Sequence, residues 1–268
     1  MKSSLKVALC LMAGLCLVAT TVASPVINGA VINTRVFNDY PNSIVTTNNA
    51  YPGQISIQDD GVGPRPPGFA NRHNFRLSDS GGAAEAVFLN GDAFSLAADV
   101  TVTGSADWIE SGLNVSPWWS KEVDGTFMLK TSTGEIAVFG GRLPFYSFTA
   151  SQGLTYTKGT TVREEVIYNP HSLNQADPGT IVYNLTMGGT TYTSGVLQFD
   201  EGNPAEDPPY GLWGILNDAR VGGYIQIVGN ETGGPAMGAV EFDNIVYTPE
   251  PASLALFGLA ALAAFRRR

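Results

Sequence analysis

Two Glu-x-Asp pairs, Glu122/Asp124 in "EVDGTF" and Glu241/Asp243 in "EFDNIV", have the residue types and spacing for acid–base chemistry. In an extended strand, residues two apart share a face, so each pair can aim two carboxylates into one cleft. Glycoside hydrolysis places two carboxylates across the scissile bond, about 5–5.5 Å apart when configuration is retained. Neither pair is followed three residues on by a third acid, and strand edges and turn caps use the same residues. Glu164 and Glu165 are adjacent and split across the two faces of a strand. His73 and His171 are far apart, with no His-x-x-x-His spacing for zinc. Calcium needs only oxygens, which Asp59-Asp60, Asp79 with Ser80, Asp200 with Glu201 and Asn203, or Asp243 with Asn244 can supply. Structural calcium therefore stays open, with its position unknown. There is no Gly-x-Ser-x-Gly and no phosphate loop. No residue is assigned a catalytic role, and the sequence is read as that of a non-enzyme.

Aromatic residues offer a second kind of site, because flat rings stack on sugar faces while Asn, Asp and Arg bond the hydroxyls. "NVSPWWSKEVDG" carries Trp118 and Trp119 behind Pro117, in a segment that reads as a loop. This pair is the candidate ligand-binding platform; the alternative is a loop that plugs the end of the fold. Trp108 and Trp213 read as packing residues. "ANRHN", with Asn71 to Asn74, and "GGRLPFYSF", with Arg142 and Tyr146, are further polar-aromatic clusters.

These residues must be positioned by sheet. Helical periodicity is nearly absent, and alternation recurs. "FSLAADVTV" puts Phe94, Leu96, Ala98, Val100 and Val102 on one face; "TIVYNLTM" does the same with Ile181, Tyr183, Leu185 and Met187. "TFMLK", "EIAVF", "VREEVIY", "TYTSGVLQF", "YGLWGIL", "YIQIV" and "AVEFDNIVY" read as further strands. Gly-Gly pairs punctuate them, and "TMGGTTY" predicts a tight hairpin at Gly188-Gly189. Many short strands with turns between them predict an all-β antiparallel sandwich or barrel. The stretch 59–74, with three prolines, is the least regular and reads as a loop between an N-terminal hairpin and the main sandwich. One domain over 24–247 is expected, with 24–75 as an N-terminal hairpin or loop extension.

The two ends of the chain carry an address. Lys2 and Lys6 precede an apolar run from Val7 to about Ala19, and Thr21-Val22-Ala23 provides the small residues a signal peptidase needs. Residues 1–23 read as a secretory signal cut between Ala23 and Ser24. Neither Cys10 nor Cys16 sits behind a lipobox, and both fall within the signal, so the mature chain lacks disulfides. At the other end, Ala252 to Phe265 is apolar apart from Ser253. As a helix it would rise about 21 Å, short of the ~30 Å hydrocarbon core. Arg266, Arg267 and Arg268 would hold that end in the cytoplasm as a membrane stop. Processing removes five of the 15 basic residues and, with Glu250, one of the 24 acids, moving the net charge from −9 to −13. Nucleic acid is a poor partner for such a surface.

Pro249-Glu250-Pro251, an apolar run and a terminal arginine cluster together resemble the PEP-CTERM sorting signal of Gram-negative bacteria. The resemblance covers 248–268. It implies a short transmembrane helix, transient inner-membrane insertion, recognition of Pro249, Glu250 and Pro251 by an exosortase-like enzyme, and delivery to the cell surface or extracellular matrix. PEP-CTERM proteins commonly accompany exopolysaccharide, which makes that polymer a candidate partner. More weakly, the strand "FSLAADVTVTG" followed by hairpins and a closing "GAVEFDNIVY" resembles concanavalin A/laminin-G-like jelly rolls, in which the last strand returns beside the first. The expectation is an exported, non-catalytic surface or matrix protein; the alternatives are a lectin-like glycan-binding module and a jelly-roll glycoside hydrolase. Pro249→Ala combined with Pro251→Ala is expected to leave the protein in the inner-membrane fraction. Unchanged release on immunoblots of fractionated cells would separate the motif from sorting.

Overall fold

The computed structural model describes residues 24–64, 69–117, 120–199, 213–215, 218–230 and 233–249. In chain order these hold β1 (Gly29–Asn38), β2 (Ile44–Ala50), β3 (Gln54–Val62), β4 (Ala70–Ser78), β5 (Phe94–Gly104), β6 (Ile109–Ser116), β7 (Thr126–Lys130), β8 (Ile136–Phe139) and β9 (Tyr146–Ser147). A one-turn helix α1 (Phe148–Gln152) follows, then β10 (Thr161–Asn169), β11 (Thr180–Met187), β12 (Thr190–Thr193), β13 (Leu197–Gln198), β14 (Arg220–Val228) and β15 (Ala236–Pro249).

The strands form two antiparallel sheets packed as a sandwich of jelly-roll type. One runs β1-β4-β14-β6-β7-β8-β9; the other runs β12-β11-β10-β5-β15-β3-β2, with β13 beside β11. The closing strand β15 lies against β5, as the jelly-roll resemblance implies. Phe94, Leu96, Ala98, Val100 and Val102 are all buried between the sheets, as their alternation predicts. Gly188 and Gly189 turn the β11–β12 hairpin with φ of 59° and 79°, the left-handed pair that a two-residue turn requires. Across the sandwich, Phe75 of β4 meets Phe242 of β15 edge to face, with ring centroids 4.9 Å apart. Such burial of aromatic and branched apolar surface is the main source of stability in the described residues, which contain no cysteine.

The stretch 59–74 departs from expectation. Residues 59–62 end β3 and residues 70–74 begin β4, at the heart of the sandwich. The polar composition hides the strand because both faces of β4 bond polar partners. Inward, His73 Nε2 lies 3.0 Å from Asp59 Oδ2, both fully buried, and His73 Nδ1 accepts from the backbone N–H of Arg35 at 2.9 Å. The imidazole is thereby held as the Nε2–H tautomer. Asn71 Nδ2 donates to the same Asp59 oxygen at 2.7 Å. Burial pushes the Asp59 carboxyl up, but the bonds from His73, Ser43 and Asn71 hold it below its usual value. Two other readings change: "TYTSGVLQF" divides into β12 and β13, and Trp213–Ile215 of "YGLWGIL" is not strand.

A second buried acid sits at the centre of the core. Glu164 of β10 reaches across to β6, where Oε2 accepts the Leu113 N–H at 2.7 Å. The β6–β7 ladder skips Gly112 and Leu113, and the carboxyl fills the gap. Gly112 leaves the space: a Cβ there would stand 1.9 Å from Phe127 O and 2.7 Å from Glu164 Oε2. Burial drives the Glu164 carboxyl well above 4.5, against the opposing Leu113 bond. The folded chain therefore holds this proton more tightly than the unfolded chain. Stability should fall as pH rises above about 4.5, by about 1.4 kcal/mol per pH unit, up to the folded-state pKa. Glu164→Gln is expected to remove that slope and raise the melting temperature at neutral pH. Thermal melts across a pH series check both.

Candidate functional site

The outer face of the seven-stranded sheet is polar where a sandwich surface is ordinarily solvated, yet it is buried. Alternation sends Phe75 and Leu77 of β4 inward, and so sends Arg72, Asn74 and Arg76 outward. On β14, Ile225 and Ile227 face the core while Gly222, Tyr224 and Gln226 face out. Register aligns them in rows: Arg72, Gln226 and Glu110 lie opposite one another, as do Asn74, Tyr224 and Gly112, and Arg76, Gly222 and Asn114.

The rows are bonded as well as aligned. Arg72 Nη1 donates to Gln226 Oε1 at 3.2 Å, and its guanidinium carbon lies 4.0 Å from the centroid of the Tyr224 ring. Arg76 reaches over Gly222 to donate to Asn114 Oδ1 and, at 3.1 Å, to Ser116 Oγ. Arg72 is 4% exposed and Arg76 1%, and among the described residues neither has a carboxylate within bonding distance. Arg72 Nη2 is buried with no hydrogen-bond partner among the described residues. Burial lowers the pKa of both groups; for Arg76, with Arg72 beside it adding repulsion, the value falls to about 9. Burial also raises the Tyr224 phenol, outweighing the pull of Arg72, so it stays protonated at neutral pH.

The cover is residues 120–125 of the β6–β7 connection. Its backbone carbonyls occupy the donors of the floor. Lys121 O accepts from Arg76 Nη2, Glu122 O from Arg72 Nε and Asn74 Nδ2, and Asp124 O from Asn114 Nδ2 and Ser116 Oγ. Lys121 Nζ pairs with Asp218 at 2.6 Å, and Asp218 with Arg220, which also pairs with Glu85. The floor is thus a set of anion- and carbonyl-binding donors with peptide oxygens resting on them.

The residues singled out in the sequence are scattered by this arrangement. Trp118 and Trp119 lie outside the described residues, as do Ala23, Glu250, Pro251 and Arg266 to Arg268. Pro249 ends β15, and Ser24 Oγ donates to Ala93 O at 2.9 Å. Glu122 and Asp124 lie on the cover, whereas Glu241 and Asp243 are on the opposite sheet, where Asp243 accepts from Gln54. The two Glu-x-Asp pairs cannot share a cleft. "ANRHN" supplies Arg72 and Asn74 to the floor. Arg76, Asn114, Tyr224 and Gln226 were missed, although "YIQIV" alternates polar and apolar residues and so marks Tyr224 and Gln226 as outward. Trp108, read as a packing residue, is 39% exposed. His171 lies on an exposed turn beside Thr180. Among the described residues, no group of three or more His, Cys, Asp or Glu is placed to hold a metal.

Residues 248–268 match the family model described as the PEP-CTERM protein-sorting motif. The chain ends in a PEP-CTERM sorting signal. The motif implies export, membrane-associated sorting and processing by an exosortase-type enzyme. The apolar run that follows the Pro-Glu-Pro lies outside the described residues; among those described, no helix is long and apolar enough to cross a membrane. No curated protein matches the PEP-CTERM chain. Several solved structures do. The alginate lyase from Corynebacterium sp. is 11% identical, with a TM-score of 0.44 over 83% of this chain and 94% of that one. Alginate lyase AlgAT5 from polysaccharide lyase family 7 is 14% identical, with a TM-score of 0.41 over 77% and 82%. Family 7 alginate lyase A1-II′ is 9% identical, with a TM-score of 0.43 over 74% and 78%. These neighbours are enzymes that cleave polysaccharide, and the expectation of a non-catalytic surface protein is corrected on that finding. Likeness at this level assigns no reaction, which must come from the floor itself.

Gly222 is the position on which the floor's geometry turns. A Cβ there would stand 2.0 Å from Phe75 O, beneath the guanidinium of Arg76. Gly222→Ala is expected to cost about 1–3 kcal/mol in denaturant unfolding. A loss under about 0.5 kcal/mol would mean that the strands relax freely around the added methyl.

Proposed function

We propose that this PEP-CTERM protein is an exported carbohydrate-active enzyme that cleaves an anionic, uronate-containing polysaccharide on the outer face of its seven-stranded sheet. One observation carries the reading: Arg72 and Arg76 are buried on one strand face and, among the described residues, are hydrogen-bonded only to neutral groups, with Arg72 Nη2 lacking a partner. A buried charge without a counter-charge is costly, and a sugar carboxylate is the chemical match for a guanidinium fork. The chemistry that fits is β-elimination. Neutralising the uronate carboxylate at Arg72 acidifies the proton on the adjacent carbon. Water admitted with the substrate takes that proton, and its electron pair forms the carbon–carbon double bond as the bond to the glycosidic oxygen breaks. Tyr224, protonated beside Arg72, gives the departing oxygen a proton that solvent then restores. Substrate oxygens would take the places of the Lys121, Glu122 and Asp124 carbonyls, so the covering connection lifts on binding.

The proposed organisation is a signal over 1–23, one domain over 24–247 and the sorting segment 248–268. The bond from Ser24 to Ala93 supports a mature start at Ser24, since that residue is already part of the fold. The polymer to try first is alginate, the substrate named for the solved neighbours. The exported protein incubated with alginate, other polyuronates and neutral glycans should generate the ultraviolet absorbance of an unsaturated uronate on polyuronates alone. Arg72→Leu should reduce the rate by about 100-fold or more, on the scale of losing a charge-stabilising donor. Saturable binding with no new absorbance and no shortening of any polymer would overturn the reading.

A further inference from the structure

We infer that Trp108 and Lys130 form an outer sugar subsite, beside the floor, for a further ring of the same anionic polymer; this rests on the reading of the floor given above. The placement comes from the ladder. Arg72, Gln226, Glu110 and Lys130 lie opposite one another on four adjacent strands, all with outward side chains. Trp108 precedes β6 and continues its ladder, its carbonyl accepting the Val228 N–H at 3.1 Å. Its indole is fixed on the outer face by two outward residues: Nε1–H donates to Glu110 Oε1 at 2.8 Å, and Lys130 Nζ lies 4.3 Å from the ring centroid.

Three features make this a site rather than a packing contact. Trp108 keeps 39% of its surface open, whereas the floor residues beside it are nearly closed. Its ring is oriented before any ligand arrives, which removes part of the ordering cost of binding. Lys130 also lies 3.6 Å from Glu110 and, having three N–H donors, keeps others for a sugar carboxylate or hydroxyl. Two interstrand steps of about 4.8 Å and one same-face step of about 6.6 Å separate Arg72 from Trp108. That is on the order of 10 Å, so a chain seated on Arg72 extends to Trp108 only when it is longer than a disaccharide.

Calorimetric titration of the exported protein with alginate polymer and with alginate disaccharide tests this. The wild type should bind both. Trp108→Ala should weaken polymer binding about ten-fold, the scale of one aromatic platform, and leave disaccharide binding unchanged. Trp108→Phe should recover part of the loss. Lys130→Gln should weaken polymer binding too, with a shallower salt dependence. In turnover, Trp108→Ala should raise KM for polymer and leave kcat within about two-fold, as loss of uniform binding requires. Equal losses for polymer and disaccharide, or unchanged polymer binding in both Trp108→Ala and Lys130→Gln, would overturn the subsite while the floor stands. A wild type that binds no polyuronate would overturn the floor and the subsite together, before any variant is compared.

Discussion

Burying two guanidinium groups on one strand is the constraint around which this sandwich is arranged. Arg72 and Arg76 are stripped of water on β4, and the cost of that is offset by hydrogen bonds and, for Arg72, by the Tyr224 ring beneath its guanidinium. Gln226, Asn114 and Ser116 supply some from neighbouring strands, and peptide carbonyls of the β6–β7 connection supply the rest. Removing the connection would leave both charges under-bonded. The same donors are therefore ready for any ligand that offers oxygens in their place, and the cover and the site are two uses of one set of bonds.

The strand that carries the arginines is polar on its other face as well. Asp59, His73 and Asn71 close a hydrogen-bonded cluster inside the core, where apolar residues would ordinarily pack. Nearby, Glu164 inserts its carboxyl, its pKa raised by burial, into the β6–β7 ladder behind Gly112, one residue from the row that holds Tyr224. Charged and polar groups thus line both sides of the central strands β4 and β6. Such interiors are retained at a cost to stability, and a function at the face they support is a physical reason to retain them.

The molecule joins two separable pieces of physics. The sorting segment acts through sequence: a short motif, an apolar run and a charge cluster are read by processing machinery at the membrane. The body is built through shape, with a donor-lined floor under backbone carbonyls of the β6–β7 connection and an oriented indole at its edge. The chain is acidic as a whole, whereas this sheltered floor is lined by two guanidinium groups, so the local field there opposes that of the remaining surface.

The C-terminal end of the chain was legible in the sequence because a sorting signal is linear: Pro249-Glu250-Pro251 and the terminal arginines need no folding to be recognised. The sandwich was legible wherever one face is apolar and the other polar, as in Phe94 to Val102, because period-two alternation records burial on one side. The strand from Ala70 to Ser78 was not, since burial on both faces among polar partners erases that alternation. Nor was the site. Arg72, Tyr224 and Asn114 come from strands distant in the chain and become neighbours only through strand register. Their adjacency is a property of the assembled sheet, and no stretch of sequence contains it. Composition and local pattern determined where this protein goes and that it is a β-sandwich; the pairing of β4, β14 and β6 alone decided what its surface can hold, because chemistry at a distance along the chain is set by which backbones lie side by side.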